Sequence, residues 1–203
     1  MGLESKKGIP VDDVKLAPKG HVKDGYKFDP DSKLSEYNPF YNKYPKTNDK
    51  VHILVCVIDA ANFSVMKDET KQKIRDIRME ASDLDIPQVA ILTKIDEVSP
   101  EVKADLKNVY KAQSMKHPME KFSADVGIPM NCIFPVKNYH QEINIDSDVD
   151  TLILSALREI ISYGDDFINL KKSNDRLIWF KVFNPFSEDV SSPVYWLQGF
   201  LYM

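Results

Sequence analysis

The chain has 203 residues, 43% hydrophobic and 29% charged, which is enough for one domain with a sizeable core. Its formal net charge is −4 and its lysines are scattered, which excludes the basic footprint of a nucleic-acid binder. Cys56 and Cys132 each sit inside an apolar run and read as buried free thiols, or as a pair if their strands are neighbours; with four histidines at no ligand spacing, they argue against structural zinc.

The first residues are polar and charged, and no apolar run approaches the length of a membrane span, so a cytoplasmic chain without a span is expected. Residues 1–50 lack periodicity. Prolines at 10, 18, 30, 39 and 45 and glycines at 8, 20 and 25 punctuate them, while Tyr26, Phe28, Tyr37, Phe40, Tyr41 and Tyr44 give them something to bury. An irregular segment lying on a core is expected there.

A regular alternation follows. Residues 51–58 are nearly all apolar and β-branched, the pattern of a buried parallel strand, and they end at Asp59. Residues 67–84 have helical spacing, with Ile74, Ile77, Arg78 and Ala81 on one face. Residues 88–93 form the second strand. Ser99 and Pro100 open a helix to about residue 112, and a second helix follows His117-Pro118 and ends near Val126. Residues 131–136 form a third strand. Residues 148–167 carry the clearest helical stripe: Val149, Leu152, Ile153, Ala156, Leu157, Ile160 and Ile161.

This order predicts an α/β fold with a parallel sheet and right-handed crossovers, although three strands are few. It divides the chain into an irregular segment 1–50, an α/β unit 51–168 and an aromatic-rich tail 169–203. In the tail, residues 177–183 are apolar on both faces, and 194–197 and 200–202 are apolar as well.

The chemistry concentrates where the second strand ends. The run from Val89 to Leu92 stops at Thr93-Lys94-Ile95-Asp96. In open α/β sheets the ligand sits beyond the carboxyl ends of the strands. A carboxylate there can accept two hydrogen bonds from the ring N–H and exocyclic amine of guanine. A lysine two residues earlier can lay its methylene stem along the purine and ribose. The plain alternative is a strand end whose Asp96 turns the chain and whose lysine is solvated. Asp59 ends the neighbouring strand and reads as a capping or turn carboxylate. Val136-Lys137-Asn138-Tyr139 ends the third strand at the same edge.

Several motifs are absent. The sequence has no G-x-x-x-x-G-K-[ST] or G-x-G-x-x-G loop, no G-x-S-x-G elbow and no H-E-x-x-H. His21, His52, His117 and His140 have no evident catalytic partner. No catalytic or metal-binding residue is therefore assigned. The pattern is a base reader without a phosphate cradle.

Taken together, these segments resemble the interferon-induced protein 44-like family, a vertebrate group of GTPase-like proteins. Met1-Gly2-Leu3 resembles the end of its D-T-M-G-L motif, the phosphate-side D-x-x-G element. Gly20-His21, Asp24 and Tyr26-Lys27-Phe28 resemble its post-switch insertion, residues 50–60 its fourth G-domain strand, and residues 89–96 its base-recognition strand. Val126 to Pro129 and Val136 to Tyr139 also fit. The run Leu152 to Arg158, followed by Asp165-Asp166-Phe167, resembles its last helix and is the most family-specific part.

The resemblance implies the carboxyl half of a P-loop-NTPase-like G domain over residues 1 to about 168, with the P-loop half missing. It implies Thr93, Lys94 and Asp96 on guanine, Asn138 near the base, and Gly2 on the phosphate side. It implies GTP or GDP with Mg²⁺ as the ligands of full-length relatives, and a place in the innate antiviral response to interferon. Phosphate and Mg²⁺ contacts dominate affinity in P-loop proteins, so weak or absent nucleotide binding is expected of this chain alone. Two alternatives accompany that reading. One is an interaction scaffold or dominant-negative partner that self-associates through an exposed sheet edge, which residues 177–183 could cover as a substitute strand. The other is a GTPase completed by a P-loop from another chain.

Overall fold

A computed structural model describes residues 3, 8–140 and 142–174 of the chain. The expectations for Gly2 and for residues 177–183, 194–197 and 200–202 lie outside the described residues. In chain order the elements are α1 (Val11–Leu16), β1 (Leu54–Asp59), α2 (Ala60–Phe63), α3 (Asp68–Asp83), β2 (Gln88–Thr93), α4 (Ile95–Val98), α5 (Pro100–Ala104), α6 (Gln113–Val126), β3 (Ile133–Pro135) and α7 (Ser147–Asn174).

The three strands form a parallel sheet in the order β1-β2-β3. In register, Cys56 pairs with Ala90 and Ala90 with Ile133. The central strand is buried on both faces, as its unbroken apolar run requires. Ala90 and Leu92 face one core, built with Phe63, Ile74, Met115 and Phe122. Val89 and Ile91 face the other, built with Val55, Val57, Ala156 and Ile160. Helices α2, α3 and α6 thus cover one side of the sheet and α7 the other, an α/β arrangement with flanking helices.

β2 lies where the sequence places it, and so does α3, whose caps are Lys67 and Leu84; several other elements differ for local reasons. β1 begins at Leu54, not at residue 51, because Val51 N–H goes to Pro18 O (3.3 Å) and pairing starts where Leu54 N–H meets Pro87 O (2.9 Å). β3 is shorter than 131–136, since Met130–Cys132 closes a 3-10 turn and Pro135 has no N–H for the ladder. α5 stops at Ala104, well short of residue 112. Asp105 there turns extended (φ −154°) and accepts Lys107 N–H at 3.0 Å to start a separate 3-10 turn.

α6 begins before Pro118 and runs through it, although the sequence suggests a start after that proline. Met115, Met119, Phe122 and Val126 share its buried face, and their burial outweighs the one ladder bond a proline removes. Gly127, left-handed at φ +86°, ends the helix. α7 extends beyond residue 167 to Asn174.

The amino-terminal segment is more ordered than its composition suggests. Asp12 and Asp13 sit in the first turn of α1, where acidic groups favour the helix dipole. An antiparallel bridge joins Val22 and Tyr41, and His21 stacks on Tyr41. Ala17, Val22 and Leu34 make a small core of their own. Asp13, 1% exposed, ties it together: its carboxylate accepts Leu34 N–H (3.0 and 3.1 Å) and Tyr26 O–H (2.9 Å). This layer rests on α3, with Lys19 Nζ 2.8 Å from Glu80 Oε1.

Both cysteines are free. Cys56 lies on β1 and Cys132 ends the turn that leads into β3, with β2 between them, so two strand spacings, about 10 Å, separate them, more than the roughly 7 Å a disulfide spans. The paired alternative is thereby removed. Burial pushes the Cys56 thiol up to about 12.

Candidate functional site

The three strands end side by side. Asp59 is in register with Thr93, and Leu92 with Pro135. Val136 N–H donates to Leu92 O at 2.8 Å, which brings the exit of β3 against the exit of β2. The sheet therefore gathers Asp59, the Thr93–Asp96 motif and the Lys137-Asn138 exit along one edge.

Asp59 caps α2. Its Oδ1 accepts Ala61 N–H (2.9 Å) and Asn62 N–H (3.2 Å), and its Oδ2 accepts from the Asn62 side chain (3.0 Å). The same Oδ2 lies 2.9 Å from Lys94 Nζ. The sequence points to the cap but not to this ion pair. The signal for it is positional: two strands of a parallel pair ending in register bring their terminal residues together.

Thr93 is buried, and its hydroxyl donates a long bond to Ile58 O (3.4 Å). Lys94 adopts the left-handed region (φ 57°, ψ 39°), an uncommon conformation for a residue with a Cβ. That turn lets α4 start immediately, with Asp96 half-buried in its first turn. The bond to Asp59, then its charge and that of Glu97, holds the Lys94 ammonium above the usual lysine range.

Lys137 stands on the other flank of Asp96. Its ammonium bonds Glu142, and that bond, with the nearby carboxylates of Glu142, Asp96 and Asp146, raises its pKa against the opposing effect of burial. Asn138 is exposed beyond it. Tyr139 anchors the loop, donating to Asp150 Oδ1 (2.7 Å) and accepting from Asp146 N–H (2.9 Å). The edge is thus a row of alternating charge, Asp59, Lys94, Asp96, Lys137 and Glu142, laid over buried strand ends. A flat ligand with donors on its edge can meet the half-buried Asp96 carboxylate from solvent.

The structure gathers Thr93, Lys94, Asp96 and Asn138 at this edge. Among the described residues no cluster of three or more His, Cys, Asp or Glu is placed to hold a metal ion. No described helix is long and apolar enough to cross a membrane.

No protein-family model and no solved structure matches the chain. It is 33% identical over 168 residues to interferon-induced protein 44 of Mus musculus, covering 83% of this chain and 40% of that protein. The human interferon-induced protein 44 is 30% identical over 169 residues, and the human interferon-induced protein 44-like is 27% identical over 170. The chain spans about 40% of the length of the curated relatives it matches. On this likeness, carried along 83% of its residues, the chain belongs to the interferon-induced protein 44 family.

Proposed function

We propose that this chain carries the base-reading edge of a G-domain-like fold in an interferon-induced protein of the antiviral response. The observation that carries the reading is the placement of Asp96. It is half-buried at the carboxyl end of the fully covered β2, with Lys94 and Lys137 on either side. Asp96 accepts the two donors of guanine, and the Lys94 stem, its ammonium held by Asp59, lies along the edge where a purine face would rest. Asn138 borders the base from the β3 exit.

The phosphate side does not fit to the same degree. This sequence contains no G-x-x-x-x-G-K-[ST] segment, and the described residues offer no ligand set for Mg²⁺. Base contacts alone support weak binding, since phosphate and metal contacts dominate affinity in P-loop proteins. No residue of the chain is given a role in hydrolysis. Cytoplasmic residence accords with this reading.

Titration of the purified chain with a fluorescent guanosine diphosphate, with and without Mg²⁺, tests the proposal. Weak, guanine-selective and Mg²⁺-independent binding is the expected result. Asp96→Asn is expected to abolish selectivity for guanine over xanthine, and unchanged selectivity would remove Asp96 as the base reader. Submicromolar, Mg²⁺-dependent binding would instead indicate a complete site, or one completed by another chain.

The scaffold reading has one observation in its favour: among the described residues β1 is paired on one side only. Its free edge is a template for a further strand.

A further inference from the structure

Two lysines flank Asp96, and each is tied to a different carboxylate. Lys94 is bound to Asp59 at 2.9 Å, and Lys137 is bound to Glu142. Among the described residues no donor bonds the Asp96 carboxylate itself. Lys137 is the lysine that could. Val136 N–H donates to Leu92 O at 2.8 Å, so the residue after Val136 stands beside the exit of β2. The charge of Asp96 reaches the Lys137 ammonium and helps to raise its pKa.

The other carboxylates near Lys137 are engaged. Asp146 Oδ1 caps α7, accepting Asp148 N–H (2.9 Å) and Val149 N–H (3.2 Å). Glu142 uses both oxygens: Oε1 takes the Lys137 ammonium and Oε2 accepts His140 N–H at 2.7 Å. The Lys137 and Glu142 side chains are 18% and 24% exposed, so the pair is partly shielded from water.

We propose that Glu142 is a positioning residue of the base-reading edge: it holds the Lys137 ammonium off Asp96 and so leaves the Asp96 carboxylate open to the two donors of guanine. The inference rests on the reading of Asp96 as the base reader. An ammonium bonded to Asp96 competes with the base for the same oxygens and has to be displaced before the base can dock. Lysine carries a compact charge on a flexible stem, so it can pass from one carboxylate to another. Lys137 thus has two resting places. On Glu142 it leaves the edge open, and on Asp96 it closes the edge with the chain's own cation. On the other flank Lys94 is already committed to Asp59.

Titration of the full chain with guanosine, which carries no phosphate, tests this, followed by nuclear magnetic resonance of the Asp96 amide and side-chain carboxyl. The Glu142→Gln side chain can still accept His140 N–H but has no charge to hold Lys137. It is expected to weaken guanosine binding by about fivefold, the upper range for a partly exposed ion pair. Lys137→Met removes the competing ammonium, and in that background Glu142→Gln is expected to change binding by less than about twofold. Without ligand, the Asp96 carboxyl resonance is expected to move in Glu142→Gln and to stay in place when Lys137→Met is also present. Equal binding by the unaltered chain and Glu142→Gln would overturn the proposal and leave the base reading standing. So would a loss that persists in E142Q/K137M, since it would show Glu142 shaping the loop and not steering the charge. No guanosine binding by the unaltered chain would overturn the base reading itself, and the role given to Glu142 with it.

Discussion

Lys94 reaches across the end of the sheet to Asp59, Nζ to Oδ2 at 2.9 Å, from a left-handed backbone at φ 57°. The ion pair and the strained backbone act in opposite directions on stability. Lys94→Gly removes both, because glycine adopts positive φ without a steric penalty. The melting temperature of Lys94→Gly is expected to stay within a few degrees of the unaltered chain. Asp59→Ala removes two backbone cap bonds as well as the pair, and is expected to destabilise by about 1–2 kcal/mol. Thermal melts by circular dichroism compare the two. A larger loss for Lys94→Gly would mean that the ion pair, not the cap, holds this edge.

Lys71 and Asp125 form an unequal pair. The Lys71 side chain is 8% exposed and that of Asp125 is 31%, with Nζ and Oδ2 2.8 Å apart and Nζ 4.9 Å from the centre of the Phe63 ring. Removing the carboxylate leaves a buried ammonium without its counter-ion, whereas removing the ammonium leaves a carboxylate that water can reach. Asp125→Ala is therefore expected to cost about 2–3 kcal/mol, and Lys71→Met, which fills the same space, clearly less. Urea unfolding midpoints check the order, and the reverse order would show that Asp125 is the more costly group to leave unpaired.

The Tyr26 hydroxyl is pushed up to about 12, first by burial and then by its hydrogen bond to Asp13. A phenol whose folded pKa is raised favours the folded state while it stays protonated. That contribution is complete below the unfolded value near 10 and is lost as pH rises from there toward 12. The amino-terminal layer should loosen across this interval. Tyr26→Phe should weaken the layer at neutral pH by about 1 kcal/mol and flatten its alkaline dependence. Ultraviolet tyrosinate titration alongside hydrogen exchange of residues 11–50 reads both effects. A Tyr26 that titrates near 10 would remove the cause.

The sequence is most legible where burial is uniform. Residues 89–92 are apolar up to Thr93, every one of them packs on a core, and β2, Gln88–Thr93, matches to the residue. The long stripe on α7 is plain too, but it is narrower than its apolar residues suggest: Val149, Ala156 and Ile160 are buried, while Leu157 and Ile161 stay exposed. Legibility falls where one residue decides between two local structures. Asp105 breaks a helix that composition would continue, because its side chain can cap the next turn. Pro118 reads as a helix start, yet four buried side chains carry α6 through it. α1 was hidden by its brevity, although Pro10 followed by Asp12 and Asp13 is the signature of a helix start. At the edge, Thr93, Lys94 and Asp96 follow from the strand's end. The Asp59–Lys94 bond and the position of Lys137 depend on strand register, which periodicity alone does not supply.

β2 is covered on both faces and paired on both sides, and it should be among the last segments to exchange its amide protons. Thr93 closes that strand, and the turn at Lys94 follows it without a linker. The charged row at the carboxyl edge is therefore mounted on the stiffest part of the fold. A molecule that meets it encounters a surface already in its final shape, with little disorder left to remove on contact.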